Sequence, residues 1–420
     1  MVLGLTRLAN LTGRRVPSVC VAGTGRYFRH QSLCQHAARF STSAQRLEDK
    51  KLFTPGPLGV SATVKAAMLR DLGSRDTEFI NIVKLIRSRL VQVAGVSEDT
   101  FTCVPIQGSG TFAVEAVIQT GVPRSGGKVL ILENGAYGKR MAKICQSTSI
   151  PYHHETFPED KVVDPKRVEE ILKGDSSFSM VSIVHCETSS GIFNPVTEVG
   201  QVVRRMAPGC SYFVDGMSSF GAVPLDLEAA GVDFLVSSAN KCMQGVPGFA
   251  YAIARKSVLD KCKGYSRSLS LDLYDQNEGL DKTSQFRFTP ATHAMLAFRQ
   301  ALAEFDEEGG VQGRADRYKG NWEVLQAGMK KLGFKELLDR SVQGYIITSY
   351  YYPQDPNFNF TDFYNRLNEK GQVIYPGKTL DIDCFRIGNI GHLFPQDMEK
   401  LLQCIEDVCR DMNMAVPVRN

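Results

Sequence analysis

Three features of this 420-residue sequence carry groups whose types and spacing could do chemistry. Asp215 closes the apolar run Tyr212-Phe213-Val214 and is followed by the small residues Gly216, Ser218 and Ser219. A carboxylate there serves either as an N-cap or as a fixed negative partner for a bound cation. Lys241 follows Phe234-Leu235-Val236 and stands among Ser237, Ser238, Ala239, Asn240, Gly245 and Gly248, small or short residues that leave room for a ligand against its amine. Most lysines are solvated, but one placed after a buried-type strand in such company is a candidate Schiff-base nucleophile. The third feature is Gln107-Gly108-Ser109-Gly110-Thr111, between a strand expected over 102–105 and a helix beginning near Phe112. Amides and hydroxyls at a helix N-terminus make an anion site. The same turn mimics a dinucleotide fingerprint, with Glu133 near the spacing of a ribose-binding acid, but it lacks the Gly-Lys-Ser/Thr ending of a Walker loop.

These residues need elements to converge them. Short β-branched and aromatic runs predict strands over 128–132, 180–185, 211–214, 233–237 and 249–254. Amphipathic stretches predict helices over 139–146, 165–173 and 199–207. That alternation is the rhythm of a mostly parallel sheet covered by helices, an α/β architecture, in which ligands bind beyond the carboxyl ends of the strands. A long helical segment over 291–308 and 317–332 leads to strands over 344–351 and 385–387 and helices over 359–370 and 395–411, a smaller C-terminal α+β domain. The expected division is a large domain over 48–300 and a small one over 301–420.

Composition narrows the functional classes. Hydrophobic residues make up 43% and charged residues 22%, ordinary globular values, and no apolar run approaches the roughly 20 residues of a membrane-spanning helix. A net charge of +4 gives no support to nucleic-acid binding. The 11 cysteines are scattered without CxxC pairs, which predicts reduced thiols. His153 and His154 are sequence neighbours and no HxxxH spacing occurs, so no metal site is expected. Residues 1–47 have no Asp, Glu or Lys, yet carry Arg7, Arg14, Arg15, Arg26, Arg29, Arg39 and Arg46. Arg-rich, acid-free and hydroxyl-rich describes a mitochondrial transit peptide and predicts a matrix protein; the alternative is a disordered basic tail.

An anion cradle, an acid at a strand end and a lysine 26 positions after it (215 to 241) are the parts that hold pyridoxal 5′-phosphate by its phosphate, pyridine nitrogen and aldehyde. From about Leu52 to Met412 the chain resembles fold-type I pyridoxal-phosphate enzymes of the class V aminotransferase branch. The matching pieces include Phe53-Thr54-Pro55-Gly56-Pro57, Gly108-Ser109-Gly110-Thr111, Asn134-Gly135-Ala136-Tyr137-Gly138, Glu187-Thr188-Ser189-Ser190-Gly191, Ser238-Ala239-Asn240-Lys241, Thr289-Pro290 and Arg386-Ile387-Gly388. Within that branch the strings around His185-Cys186-Glu187-Thr188 and Asp215-Gly216-Met217-Ser218 are most similar to those of the 2-aminoethylphosphonate–pyruvate transaminases.

The resemblance implies a transfer of the amino group of 2-aminoethylphosphonate to pyruvate. Lys241 would carry the cofactor aldehyde and move the proton, and Asp215 would keep the pyridine nitrogen protonated. Ser109, Gly110 and Thr111 would hold the phosphate, with Asn240 adding a contact and Thr188 bonding the phenolic oxygen. Tyr137 stands where relatives often carry tryptophan and would stack on the ring. Arg386 would be the fork for the substrate anion, its alternative being a surface ion pair, with Arg75 or Arg140 candidates for a further donor. Thr289 would reach the neighbouring subunit's cofactor phosphate in a homodimer. Alanine–glyoxylate or serine–pyruvate exchange, a cysteine desulfurase using Cys384, a kynureninase, a nicotinamide dehydrogenase and a non-catalytic binding scaffold are the competing readings.

Overall fold

Runs such as Val-Leu-Ile-Leu and Tyr-Phe-Val have no polar face, so they are stable as strands only where both sides of a sheet are covered. In the computed structural model of the chain, which describes residues 49–377 and 382–419, they form one seven-stranded sheet. The expected transit peptide lies outside the described residues. Across the sheet the strands run Phe101–Gln107, Phe249–Arg255, Phe234–Ser238, Ser211–Asp215, Met180–Val184, Val129–Glu133 and Tyr152–Thr156. Phe249–Arg255 is antiparallel to both neighbours, and the other pairs are parallel. Asp215 therefore ends the central strand, in register with Val184 on one side and Val236 on the other.

Most strands and helices predicted from apolar runs appear within a few residues of their expected bounds, but the helix expected over 317–332 begins seven residues earlier, at Gly310. The edge strand Tyr152–Thr156 does not show in the sequence, because Tyr-His-His-Glu-Thr is polar and half exposed; it exists through its ladder with Val129–Glu133. The helix Gly110–Gly121 buries Ala113, Val114, Ala116 and Val117 against the sheet. The helix Pro165–Gly174 starts as its sequence dictates, with Pro165 in the first turn and the Asp164 carboxylate accepting the Lys166 amide at 2.9 Å.

A second hydrophobic core lies around the antiparallel strands Ile347–Tyr351, Cys384–Gly388 and Tyr375–Pro376, with the helices Phe360–Glu369 and Pro395–Asp411. Phe385 is its centre, fully buried among the rings of Phe334, Tyr350 and Phe363 at 5.6–5.8 Å. Both cores belong to one compact unit over 50–420. The boundary expected at 300 falls inside the helix Thr292–Glu307, which still buries Phe298, Leu302 and Phe305 in the first core. The helix Gly310–Lys331 spans the change: Val311 near its start still packs against the first core, while Leu325 and Met329 towards its end lie in the second.

The second core also takes Phe53 from the other end of the chain, because Lys51–Leu52 pairs in parallel with Gln372–Val373. The Gly388 amide donates to Phe53 O at 3.0 Å, and a Cβ on Gly388 would stand 2.6 Å from Thr54 O. That close approach lets residues 53–57 lie on the small sheet and run on to the large one. Phe385→Ala should lower the unfolding free energy by about 3–5 kcal/mol, the cost of an emptied aromatic site. Chemical denaturation would measure it, and a loss below ~1 kcal/mol would contradict this account of the second core.

Candidate active site

Four parallel strands, ending at Glu133, Val184, Asp215 and Ser238, release their chains along one edge of the sheet. There the structure holds a cavity of about 150 Å³ whose wall includes Ser109, Gly110, Thr111, Tyr137, Arg140, Asp215, Asn240 and Lys241. Seven of the ten residues singled out in the sequence thus meet in one place. Arg140 joins them, while Arg75, the other candidate donor, is exposed and not on the wall.

Asp215 is 4% exposed. Its Oδ1 accepts the Met217 amide at 2.9 Å, so the cap-like reading holds in part, but among the described residues its carboxylate has no ion-pair partner. Burial pushes its pKa up to about 6, against the opposing pull of the Met217 amide, Arg140 and Lys241. A positive group facing it would restore the charged form.

Lys241 is part-buried, and its Nζ donates to Pro55 O at 2.6 Å. Burial pushes its pKa down to about 8, which leaves a share of free amine near neutral pH. Gly56 is required beside it on two counts: its φ of +126° and a Cβ position 2.6 Å from Lys241 Nζ.

The cradle is the N-terminus of the helix Gly110–Gly121, whose N-cap Ser109 makes no side-chain cap bond. Its first amides are therefore open to an anion. Arg140 Nη1 donates to Thr111 Oγ1 at 3.1 Å, and the Arg140 guanidinium lies 4.9 Å from the Tyr137 ring centre. Arg140, Tyr137 and the cradle form one connected, positively charged wall.

Three expected residues are not on that wall. Thr188 sits behind it, against the Tyr137 phenol. Arg386 is 1% exposed, donates to Pro376 O at 3.0 Å and to Thr188 O, and lies 5.0 Å from the Tyr375 ring centre. It has no carboxylate partner among the described residues, which excludes the surface ion pair. Thr289 is exposed and apart from the cavity of its own chain. Of the competing features, Glu133 is buried against His154 and Lys139 rather than facing the Gly108–Thr111 turn, and Cys384 is buried in a sheet strand. All nine described cysteines are free thiols, and among the described residues no metal-binding cluster of His, Cys, Asp or Glu is found.

Comparison with known proteins agrees with this geometry. Residues 60–362 match the sequence profile of the aminotransferase class-V family. The chain belongs to the class-V aminotransferases. It is 48% identical over 357 residues to a 2-aminoethylphosphonate–pyruvate transaminase of Syntrophobacter fumaroxidans, covering 85% of this chain and 95% of that one. It is 46% identical to a bifunctional phosphonoacetaldehyde hydrolase/aminoethylphosphonate transaminase of Clostridioides difficile, where the match covers 85% of this chain but 56% of the relative. The fold is similar to that of the ureidoglycine–glyoxylate aminotransferase of Bacillus subtilis, with a TM-score of 0.80, 22% identity and coverage of 87% and 94%.

Glu187 lies in one of the matching motifs, but the sequence alone assigns it no role. It is fully buried beside Tyr137, and burial pushes its pKa up to about 7. The one signal in the sequence that could have found it is its place in Glu187-Thr188-Ser189-Ser190-Gly191, just after the strand Met180–Val184.

The Asp215 pKa gives a test in the ligand-free protein. Its folded value lies above the ordinary 3.8, so its stabilising contribution is complete below about pH 4 and is lost as pH rises through 6. The difference corresponds to roughly 3 kcal/mol. Asp215→Asn should remove that fall, so unfolding measured from pH 4 to 7.5 should show the wild type losing more stability than the variant. Parallel profiles would mean the carboxylate is not buried without a partner.

Proposed function

We propose that this class-V aminotransferase moves the amino group of 2-aminoethylphosphonate to pyruvate, forming phosphonoacetaldehyde and L-alanine with pyridoxal 5′-phosphate as cofactor. The observation that carries the reading is the convergence of Asp215, Lys241 and the Gly110–Thr111 cradle on one cavity, in a chain about half identical to transaminases of that name. The residues fit the cofactor by their chemistry. The open amides of the helix N-terminus suit its phosphate, the unpaired buried carboxylate of Asp215 suits a protonated ring nitrogen, and the Lys241 amine suits its aldehyde.

When bound, the cofactor supplies an electron sink for the charge left as the substrate's Cα–H bond breaks. The protein supplies the rest. Asp215, held by the Met217 amide, keeps a positive N–H in place in a region of low polarity, where that pairing is strong. Lys241, with a pKa near 8, takes the proton from the substrate carbon and returns it. Ser109, Gly110, Thr111 and Asn240 bind the cofactor from the cradle side, and Tyr137 offers an aromatic wall. Arg386 has two donors committed to main-chain carbonyls, and among the described residues its Nη2 has no acceptor, which leaves a direction for a carboxylate or phosphonate. Arg140, unlike Arg386, stands on the cavity wall itself and adds a positive charge there for the more highly charged phosphonate.

Two further parts of the reading concern the assembly. We infer a homodimer in which the exposed Thr289 faces the cofactor phosphate of the partner subunit, and a mitochondrial location for the chain, supported by the acid-free, Arg-rich residues 1–47.

A panel of amino donors assayed against pyruvate and glyoxylate tests the substrate. The aminoethylphosphonate–pyruvate pair should lead; equal turnover of serine with pyruvate or alanine with glyoxylate, without phosphonoacetaldehyde, would overturn the assignment. Arg386→Ala should lower kcat/KM by at least ~30-fold, the scale of a lost charge-assisted bidentate contact. Borohydride treatment should fix the cofactor to the peptide containing Lys241, and Lys241→Ala should abolish both fixation and turnover. Fixation at another lysine would remove Lys241 from its role.

A further inference from the structure

We propose that Glu187 is a positioning residue for the aromatic wall of the site, fixing Tyr137 and, through the same helical turn, Arg140. The inference rests on reading the cavity as the aminotransferase site. Glu187 ends the short strand Cys186–Glu187, is fully buried and is not on the cavity wall, so it acts through its neighbours. Its two oxygens serve two segments. Oε2 accepts the Tyr137 amide at 3.2 Å, while Oε1 accepts the Ser189 amide at 3.1 Å and the Ser189 hydroxyl at 2.5 Å. Ser189 Oγ in turn accepts the Ala136 amide at 3.3 Å.

These bonds do what the local sequence cannot. The helix Ala136–Ser147 has Gly135 at its N-cap, with no side chain to satisfy its first amides. Glu187 and Ser189 satisfy two of them from a different segment, placing acceptor oxygens at the end of the helix whose dipole favours them. The steric fit is equally specific. A Cβ on Gly135 would lie 2.5 Å from Glu187 Cγ and Cδ. With φ at 168°, Gly135 is in extended backbone open to any residue, so it is the carboxylate's approach that requires glycine there.

The positioning reaches the substrate side. Glu187 holds the amide of Tyr137 and the next residue, Thr188, faces its phenol, so consecutive residues hold the backbone and the ring tip of one residue. One turn on, Arg140 lies over that ring and bonds Thr111 of the cradle. The Thr188 carbonyl accepts from Arg386, so the same dipeptide stands between the wall and the proposed anion fork.

Glu187→Gln tests this. It keeps the size of the side chain but turns one acceptor oxygen into an amide donor facing an N–H. Hydrogen exchange of amides 136–140 in the cofactor-free protein should quicken at least ~10-fold, the scale of one lost buried hydrogen bond, while the sheet strands keep their protection. Titration with pyridoxal 5′-phosphate should show affinity weakened by about the same factor. Should that variant fail to fold, Gly135→Ala presses a Cβ into the carboxylate and should give the same local change. Wild-type exchange over 136–140 with wild-type cofactor affinity in the folded variant would overturn the proposal. So would exchange raised evenly throughout the chain with unaltered affinity, the mark of a purely structural role. A wild-type protein without transaminase activity would sink the proposed function alone, since exchange and titration still decide on Glu187.

Discussion

Asp215 is set at the end of the central strand of a seven-stranded sheet, in a place where neither flanking strand offers it a counter-charge. A carboxylate buried with one amide bond is costly by itself, and the fold spends stability to keep it there. The geometry of the parallel sheet makes the arrangement productive. Because neighbouring strands end along the same edge, the acid, the lysine one strand over and the amide cradle before the first covering helix share one cavity. The same low polarity that raises the Asp215 pKa lowers that of Lys241, so one environment prepares an acid to pair with a cation and an amine to act as a base.

The legible part of this protein was the part written in contiguous residues. Apolar runs such as Tyr212-Phe213-Val214 can be satisfied only by a covered strand, and the small residues after them mark where the backbone must leave space, so Asp215, Lys241 and the Gly108–Thr111 turn stand out before any coordinates. The polar edge strand Tyr152–Thr156 was hidden because its reason for existing is a ladder partner. Arg386 could be named but not placed: a lone arginine in a sequence does not say that its donors end on the carbonyls of Pro376 and Thr188. Glu187 was the deepest omission, since its bonds join an amide 50 positions earlier to a hydroxyl two positions later. A division between the cores is not legible at residue 300 for a similar reason, because the helix Thr292–Glu307 looks the same in sequence whichever core it covers.

The hairpin formed by Cys186–Glu187 and Ile192–Phe193 deserves notice as the joint between the two cores. Its turn gives carbonyls of Thr188, Ser190 and Gly191 to Arg386, the Ser349 hydroxyl and the Gly344 amide of the smaller core. On its other side it holds the first turn of the Tyr137 helix. Arg386 and the Tyr137 helix are thus referenced to the same few backbone atoms, which keeps their separation fixed without a direct bond between them.

The strand Lys51–Leu52 has a consequence for how the molecule is made. Its partner is Gln372–Val373, so more than 300 residues separate the two halves of that ladder (51 to 372). At roughly 5–20 residues per second of synthesis, the early segment waits on the order of 15–60 s before its binding surface leaves the ribosome. The large sheet is complete by Arg255 and can form in that interval, with Lys241 already at its edge. Pro55 and Gly56, which close over that lysine, are translated early yet can be anchored to the small sheet only once Gly388 has emerged to receive Phe53. The order of synthesis therefore makes the cavity beside Lys241 one of the last places in the protein to be closed, by nearly the first described residues of the chain.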